Sequence, residues 1–378
     1  MEKEVNKQIN PFLKGIFECP VCSNQEYHWR LKDRLIITKS TDFDTRISDF
    51  KWKDGKSNGR PTKTDLFHFW ECDKCHFSSD YRSYVSLTKN NIVRSKLKKN
   101  IEKTRNIGFE NAFISKFHSI AKIDKFDLQK ILFDNYDNYN KNNEPILKLM
   151  LLKRILLAIY NQNILKTTST YNHIGLASSY IRLSWVYKDL ETDKDDRSKE
   201  LIDYFMNQYQ DTPKTIEECR AKAVELYLEG LKKSYSIDTV YKEVALKIVI
   251  IRLYLLTGQI LKAKRMFIET KTYITSGSEK MLSESKGKLE KDKFDEVLKS
   301  TKKAQGTFNA FETQYEKYME RYEEEMISSA NNFISDNKSK NREALIELLK
   351  KEGFDDKIIN KVLPKVVNKS FLSKLFKI

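Results

Sequence analysis

The apolar positions of this chain change their period partway along it. From Tyr27 to Thr38, the side chains Tyr27, Trp29 and Leu31, then Leu35 to Ile37, supply the aromatic and β-branched residues of a strand. Asp65 to Glu71 (DLFHFWE) is a second candidate strand, and Phe77 to Leu87 leads away from it. Between them, Lys51 to Lys63 is charged and carries Gly55, Gly59 and Pro61, which predicts an exposed loop. After Tyr84 the texture becomes helical. Asn135 to Glu144 (NYDNYNKNNE) is too polar to bury itself and reads as a linker, after which Pro145 suits the first turn of a helix. Ile146 to Leu165 is apolar at helical spacing and predicts a buried helix.

Two of the later helices look alike. The run from Gly175 to Trp185 (GLASSYIRLSW) aligns with Ala245 to Leu255 (ALKIVIIRLYL), and the shared Ile-Arg-Leu recurs after 70 residues. That is close to two periods of a helix-pair repeat of about 34 residues. The second copy continues through Gly258, Ala263 and Phe267, a glycine, small residue and aromatic spaced as in the tetratricopeptide pattern. Glycine permits the tight turn, the small side chain lets two helices approach, and the ring fills the groove beside them. Ala221 to Tyr227 has a similar spacing. In the last hundred residues, Ser276 to Lys291 is rich in serine and lysine. Phe308 to Phe333 then reads as a charged helix, and Arg342 to Leu349 and Asp355 to Leu363 as two short helices around a capping Gly353. The expected fold is mainly α. A small zinc-ribbon-like β domain (1–95) precedes tetratricopeptide-like helices (96–275) and a charged helical extension (276–378).

Composition agrees with that reading. In 378 residues there are 11 glycines and 6 prolines, few breakers for so long a chain. No window approaches the roughly 20 apolar residues of a membrane span and the first twenty do not resemble a signal peptide, so a cytoplasmic protein is expected. The net charge of +16 comes from 69 basic and 53 acidic residues interleaved along most of the chain, the pattern of solvated helix faces. Two local excesses stand out: seven basic residues against one acid from Lys89 to Arg105, and six lysines with no acid from Lys357 to the end.

Four of the five cysteines form two pairs, Cys19-Pro-Val-Cys22 and Cys72-Asp-Lys-Cys75. A C-x-x-C turn, usually at the tip of a hairpin, presents two thiolates to one ion, and two such knuckles complete a tetrahedron. Cys19, Cys22, Cys72 and Cys75 are therefore the expected ligands of one structural zinc. The competing assignments are disulfides or a dithiol redox pair. Four protein ligands leave no open position for catalysis. The 49 residues between the pairs exceed the spacing of a compact ribbon, so the insert must hold structure of its own. His76, beside Cys75, could replace a ligand, and His28 and His68 lie nearby, although half-buried strand positions suit all three. Cys219 sits alone in a helical run and reads as a bystander thiol.

The order of these features resembles a bacterial family, domain of unknown function 2225. It is carried by Phe17-Glu-Cys-Pro-Val-Cys22, a strand containing Arg34 to Ile37, the acidic Asp42 and Asp44, the aromatic strand into Cys72 and Cys75, and the helices that follow to about Tyr273. The family's second knuckle tends to read Cys-Pro-x-Cys-Gly, whereas here Asp73 and His76 stand in place of the proline and glycine. The resemblance implies the same four cysteine ligands and no particular activity.

For function, the sequence has no phosphate-binding loop, dinucleotide fingerprint, zinc-protease helix or nucleophile elbow, so no enzyme is expected. The expected role is a protein-interaction module or scaffold, binding a protein or peptide partner on the helical repeats. The alternative is nucleic-acid binding by the zinc domain and segment 89–105. There Trp29, Trp52, Phe67, Phe69, Trp70, Phe77, Tyr81 and Tyr84 would stack on bases.

Overall fold

A computed structural model describes residues 10–55, 60–123, 128–133, 139–193, 196–233, 239–277 and 291–363. The serine- and lysine-rich stretch and the basic tail fall largely outside them, whereas the expected linker is described from Tyr139, which is buried, through a 3-10 turn at Lys141–Asn143. The chain divides into two units, up to Val297 and from Leu298 onward, and its fold is mainly helical with small antiparallel strand pairs near the start.

Three hairpins open the first unit. Strands β1 (Phe12–Glu18) and β2 (Gln25–Leu31) pair in register from Phe12 opposite Leu31 to Glu18 opposite Gln25. Strands β3 (Ile36–Thr41) and β4 (Ile47–Trp52) form the second, irregular around Ser40. The short β5 (Phe69–Glu71) and β6 (Ser78–Asp80) form the third. The strand expected from Tyr27 to Thr38 is thus broken, because a 3-10 turn at Asp33–Leu35 ends one hairpin and begins the next. Asp65–Phe67 likewise turns before β5 starts. The loop expected from Lys51 to Lys63 is exposed at most of its described residues, but Trp52, Arg60 and Pro61 are buried. Arg60 is buried, with its guanidinium 4.8 Å from the Trp52 ring and paired with Asp54, and Pro61 is buried beside it. A cation stacked on an aromatic face and paired with a carboxylate can be buried where a bare one cannot.

Helices α1 (Tyr81–Lys89), α2 (Asn91–Thr104) and α3 (Ile107–Ala121) follow. Each starts at a side-chain cap: Asp80 accepts from the Arg82 amide, Asn90 from that of Val93 and Asn106 from that of Phe109. After the short α4 (Leu128–Leu132), α5 (Glu144–Ile164) runs through the centre of the unit. Pro145 is in its first turn, and residues on every face are buried, including Lys153, Arg154 and Asn161. The β5–β6 hairpin lies on this helix: Ser78 Oγ donates to the Arg154 carbonyl at 2.8 Å, and Arg154 Nη1 donates to the Phe69 carbonyl at 3.1 Å.

Then come α6 (His173–Asp193), α7 (Asp196–Gln208), α8 (Ile216–Lys233), α9 (Val240–Leu256) and α10 (Ile260–Thr272). The two Ile-Arg-Leu triplets lie in α6 and α9, and Ile181, Leu183, Ile251 and Leu253 are buried in both. The 70 residues between them hold three helices, not the four that two helix pairs need. Helix α6 packs against α8, while α7 turns aside to α3 and α5, where Phe205 meets Phe109 and Phe113. Gly258 has φ +70° at the turn into α10, which folds back on α9 with Ala263 and Phe267 buried between them. Helix α11 (Lys291–Asp336), most of which belongs to the second unit, is far longer than the expected Phe308–Phe333. Its end shares a core with α12 (Arg342–Lys351) and α13 (Asp356–Val362) built on Ala330, Leu349, Ile358 and Ile359. Gly353, at φ +89°, caps α12 as expected. No helix among the described residues is long and apolar enough to cross a membrane.

Candidate metal centre

The two C-x-x-C knuckles sit at the tips of the β1–β2 and β5–β6 hairpins, and they are built alike. In the first, the Cys19 amide donates to the Asn24 carbonyl at 2.7 Å and the Ser23 amide to the Cys19 carbonyl at 3.1 Å. In the second, the Cys72 amide donates to the Phe77 carbonyl at 3.0 Å and the His76 amide to the Cys72 carbonyl at 2.8 Å. The residue after each second cysteine has a left-handed backbone, with φ 63° at Ser23 and 52° at His76. This is the conformation that glycine adopts without steric cost. Asp73 and His76 therefore leave the second turn intact, even though the family pattern puts proline and glycine there.

The paired turns bring four sulfurs together. The Sγ atoms of Cys19, Cys22, Cys72 and Cys75 all lie within 4.8 Å of one another, with Cys19–Cys75 at 3.6 Å and Cys22–Cys72 at 3.5 Å. A metal with four thiolates at about 2.3 Å in a tetrahedron spaces its sulfurs roughly 3.8 Å apart. These are metal-site separations, far beyond the roughly 2 Å of a disulfide. Cys19 and Cys72 are 0% exposed, and the Val21 amide points at Cys19 Sγ from 3.4 Å.

Electrostatics favours a cation at this point. Hydrogen bonds from Cys72 and Cys75 hold the Cys19 thiol down at about 2, while the hydrogen bond to Cys19 pushes Cys72 up and Cys75 up to about 12. One negative charge is thus stabilised at the cost of ionising the other thiols. A dication amid the sulfurs reverses that penalty, because it deprotonates coordinated thiols. The four cysteines can hold one metal ion.

The surroundings fix the cluster in place. Its sulfurs share a core with Val21, Trp70, Phe77, Tyr84 from α1, Leu97 and Ile101 from α2, and Leu165 after α5. Glu26 on β2 ties the hairpins together, its Oε2 accepting from the Asp73 amide at 2.9 Å. Next to Cys72, the buried Glu71 carboxylate meets Lys153 Nζ of α5 at 2.7 Å and His76 Nδ1 at 3.1 Å. Burial pushes Glu71 up, but Lys153, the His76 hydrogen bond and Arg154 outweigh it and hold the group at about 2. Sequence spacing gave no sign of Glu26. Lys153 and Arg154 did leave a trace, as two charges inside the apolar run Ile146 to Leu165.

The histidines stay outside the cluster. His28 is buried and stacks on Trp70 at 4.5 Å, His76 faces Glu71, and His68 lines a cavity elsewhere. Cys219 is buried in α8, where burial pushes its thiol up.

The two left-handed residues give a paired prediction. Ser23→Gly relieves the φ of 63° and gives up an exposed contact from Arg94, so the chain should gain roughly 0.5–1 kcal/mol. His76→Gly relieves a similar φ but removes a half-buried partner of the buried Glu71, and should destabilise. Urea unfolding of the two variants checks the opposite signs; two shifts of the same sign would refute the backbone argument. Comparison of the chain with protein-family models, with curated proteins and with solved structures finds no match in any of the three.

Proposed function

We propose that this chain is a non-enzymatic, cytoplasmic interaction module or scaffold in which one structural zinc clips two hairpins onto a helical body that binds a protein or peptide partner. The observation that carries the reading is the closed group of four sulfurs. A four-thiolate zinc has no site left for water or substrate, so its work is to hold the fold. Kinship with domain of unknown function 2225 belongs to the same proposal, and rests on the order of the two knuckles and the helices after them.

The partner surface is proposed on the α9–α10 pair, whose turn and packing residues fit the tetratricopeptide-like spacing. Helix α10 presents Leu261 and Ile268, 81% and 62% exposed, two turns apart on one face. Apolar side chains so spaced suit an apolar segment of a partner. The nucleic-acid reading has less support. Of the eight rings expected to stack on bases, Trp29, Trp52, Phe67, Phe69, Trp70, Phe77 and Tyr84 are buried in the core. The exposed lysines of α2 remain without a stacking platform.

Crosslinking in native extract followed by peptide mapping tests the proposal. A partner should crosslink to Lys262 or Lys264, and Leu261→Asp with Ile268→Asp should abolish that capture while leaving the helical content unchanged. Capture that survives the double variant, or no protein partner in repeated surveys, counts against the reading.

A further inference from the structure

Away from the sulfurs, residues of β6, α1, α5 and α6 line a partly open cavity of about 690 Å³, together with Lys242 of α9. The charged residues on its wall are Arg82, Arg182, Lys242 and Asp80, of which Lys242 has a further partner and Arg82 is attracted by Asp80. The serine hydroxyls of Ser79, Ser83 and Ser86 also line it, and none of them has a hydrogen-bond partner among the described residues.

Arg182 is the unusual member. Other arginines of this unit set into the fold have counter-charges: Arg46 pairs with Asp65 and Asp189, Arg60 with Asp54, Arg105 with Glu110 and Arg220 with Asp44. The half-buried Arg182 guanidinium lies 4.1 Å from the Trp185 ring, yet makes no hydrogen bond or ion pair among the described residues. The acids whose charges act on it, Asp65 and Asp80, have partners of their own. Asp65 binds Arg46, and Asp80 caps α1 by accepting from the Arg82 amide at 2.9 Å. Burial pulls the Arg182 pKa down, as it does those of Arg154 and Arg252. A half-buried guanidinium with no hydrogen-bonded carboxylate can take an external anion, and on one wall with unpartnered hydroxyls it suits a tetrahedral oxyanion.

We propose that this cavity binds a small phosphomonoester, with Arg182 as the principal phosphate ligand and the serine hydroxyls completing its shell. The volume suits a ligand larger than phosphate alone and of small-metabolite size. The Arg182 charge on a partly enclosed wall favours an anion, while the hydroxyls and the amide of Gln162 can meet a polar body.

The test is titration calorimetry and thermal unfolding of the full chain with inorganic phosphate, a sugar phosphate and a nucleoside monophosphate, alongside the unphosphorylated sugar and nucleoside. At least one phosphomonoester should bind saturably and raise the melting temperature, and its unphosphorylated form should not. Arg182→Met should weaken binding about 10- to 100-fold, as loss of a charge-assisted contact does. Without ligand it should lose only the stacking on the Trp185 ring and the attraction of Asp65 and Asp80, and so melt close to the parent. Arg182→Lys should fall between the two, and Ser83→Ala gives an independent reading if the methionine variant fails to fold. The proposal is overturned by no binding of any phosphomonoester up to about 10 mM, by equal binding to parent and Arg182→Met, or by equal binding of phosphorylated and unphosphorylated forms. Binding of inorganic phosphate alone also overturns the metabolite-sized ligand.

Discussion

Cys72→Ser is expected to unfold both knuckle hairpins, and removal of the metal by a strong chelator should do the same. Apparent binding energies of structural zinc sites are about 10 kcal/mol or more, comparable with the whole stability of a domain. With one ligand gone, the buried Cys19 and the half-buried Cys22 and Cys75 would be left with an incomplete tetrahedron. The structure widens the expected damage beyond the hairpins. Tyr84 of α1 and Leu97 and Ile101 of α2 pack on the same core as Cys19 and Cys72, so those helices should loosen with them. Helices α6, α8, α9 and α10 pack on one another and should stay folded. Far-ultraviolet circular dichroism should therefore fall only partly, while amide exchange becomes fast from Phe12 to about Ile101. Protection of the hairpins in metal-free protein would contradict the role given to the cluster.

Lys153→Met is expected to cost about 3 kcal/mol, the typical cost of leaving one member of a buried ion pair uncompensated. Lys153 and Glu71 meet at 2.7 Å, both buried, and they join α5 to the strand that leads into the second knuckle. His76 and Arg154 hold part of the Glu71 charge, which keeps the loss below the upper end of the range. Glu71→Gln in the Lys153→Met background should recover much of it, because the stranded charge is gone. The sign of the pH dependence follows from a carboxylate held at about 2 against an ordinary 4.5. The pair stabilises the fold fully above about 4.5, and the contribution fades as pH falls toward about 2. Urea unfolding of parent, single and double variants across that range should show a gap that narrows in acid. Additive losses in the double variant would mean that the two groups do not act on each other.

How much of this could be read from the residues depended on distance along the chain. The knuckles were legible because each needs only four consecutive residues, and their tetrahedral role follows from thiolate chemistry. The apolar run of α5 and the cap at Gly353 were legible for the same local reason. The break in the strand from Tyr27 to Thr38 was not, since aromatic and β-branched residues continue through the 3-10 turn at Asp33–Leu35. Nor was the placement of α7. The 70-residue echo of Ile-Arg-Leu suggested two regular helix pairs, whereas Phe205 draws the inserted helix onto Phe109 and Phe113, about a hundred residues upstream in sequence. The aromatics Trp70, Phe77 and Tyr84 could be read as a stacking surface or as a core. The small hairpins have few other large side chains to bury, and the core reading prevails. Glu26, Glu71 and Arg182 acquire their meaning only from partners, or from a lack of them, fixed by tertiary folding.

The central claim is that Cys19, Cys22, Cys72 and Cys75 hold one zinc ion as a closed staple. Metal analysis combined with X-ray absorption at the zinc edge tests it most directly on chain purified under reducing conditions. One zinc per chain, with four sulfur neighbours at about 2.3 Å and no oxygen or nitrogen ligand, is the predicted result. Protein that folds with four titratable thiols and no bound metal, or zinc with an oxygen or nitrogen neighbour in place of a sulfur, would contradict it.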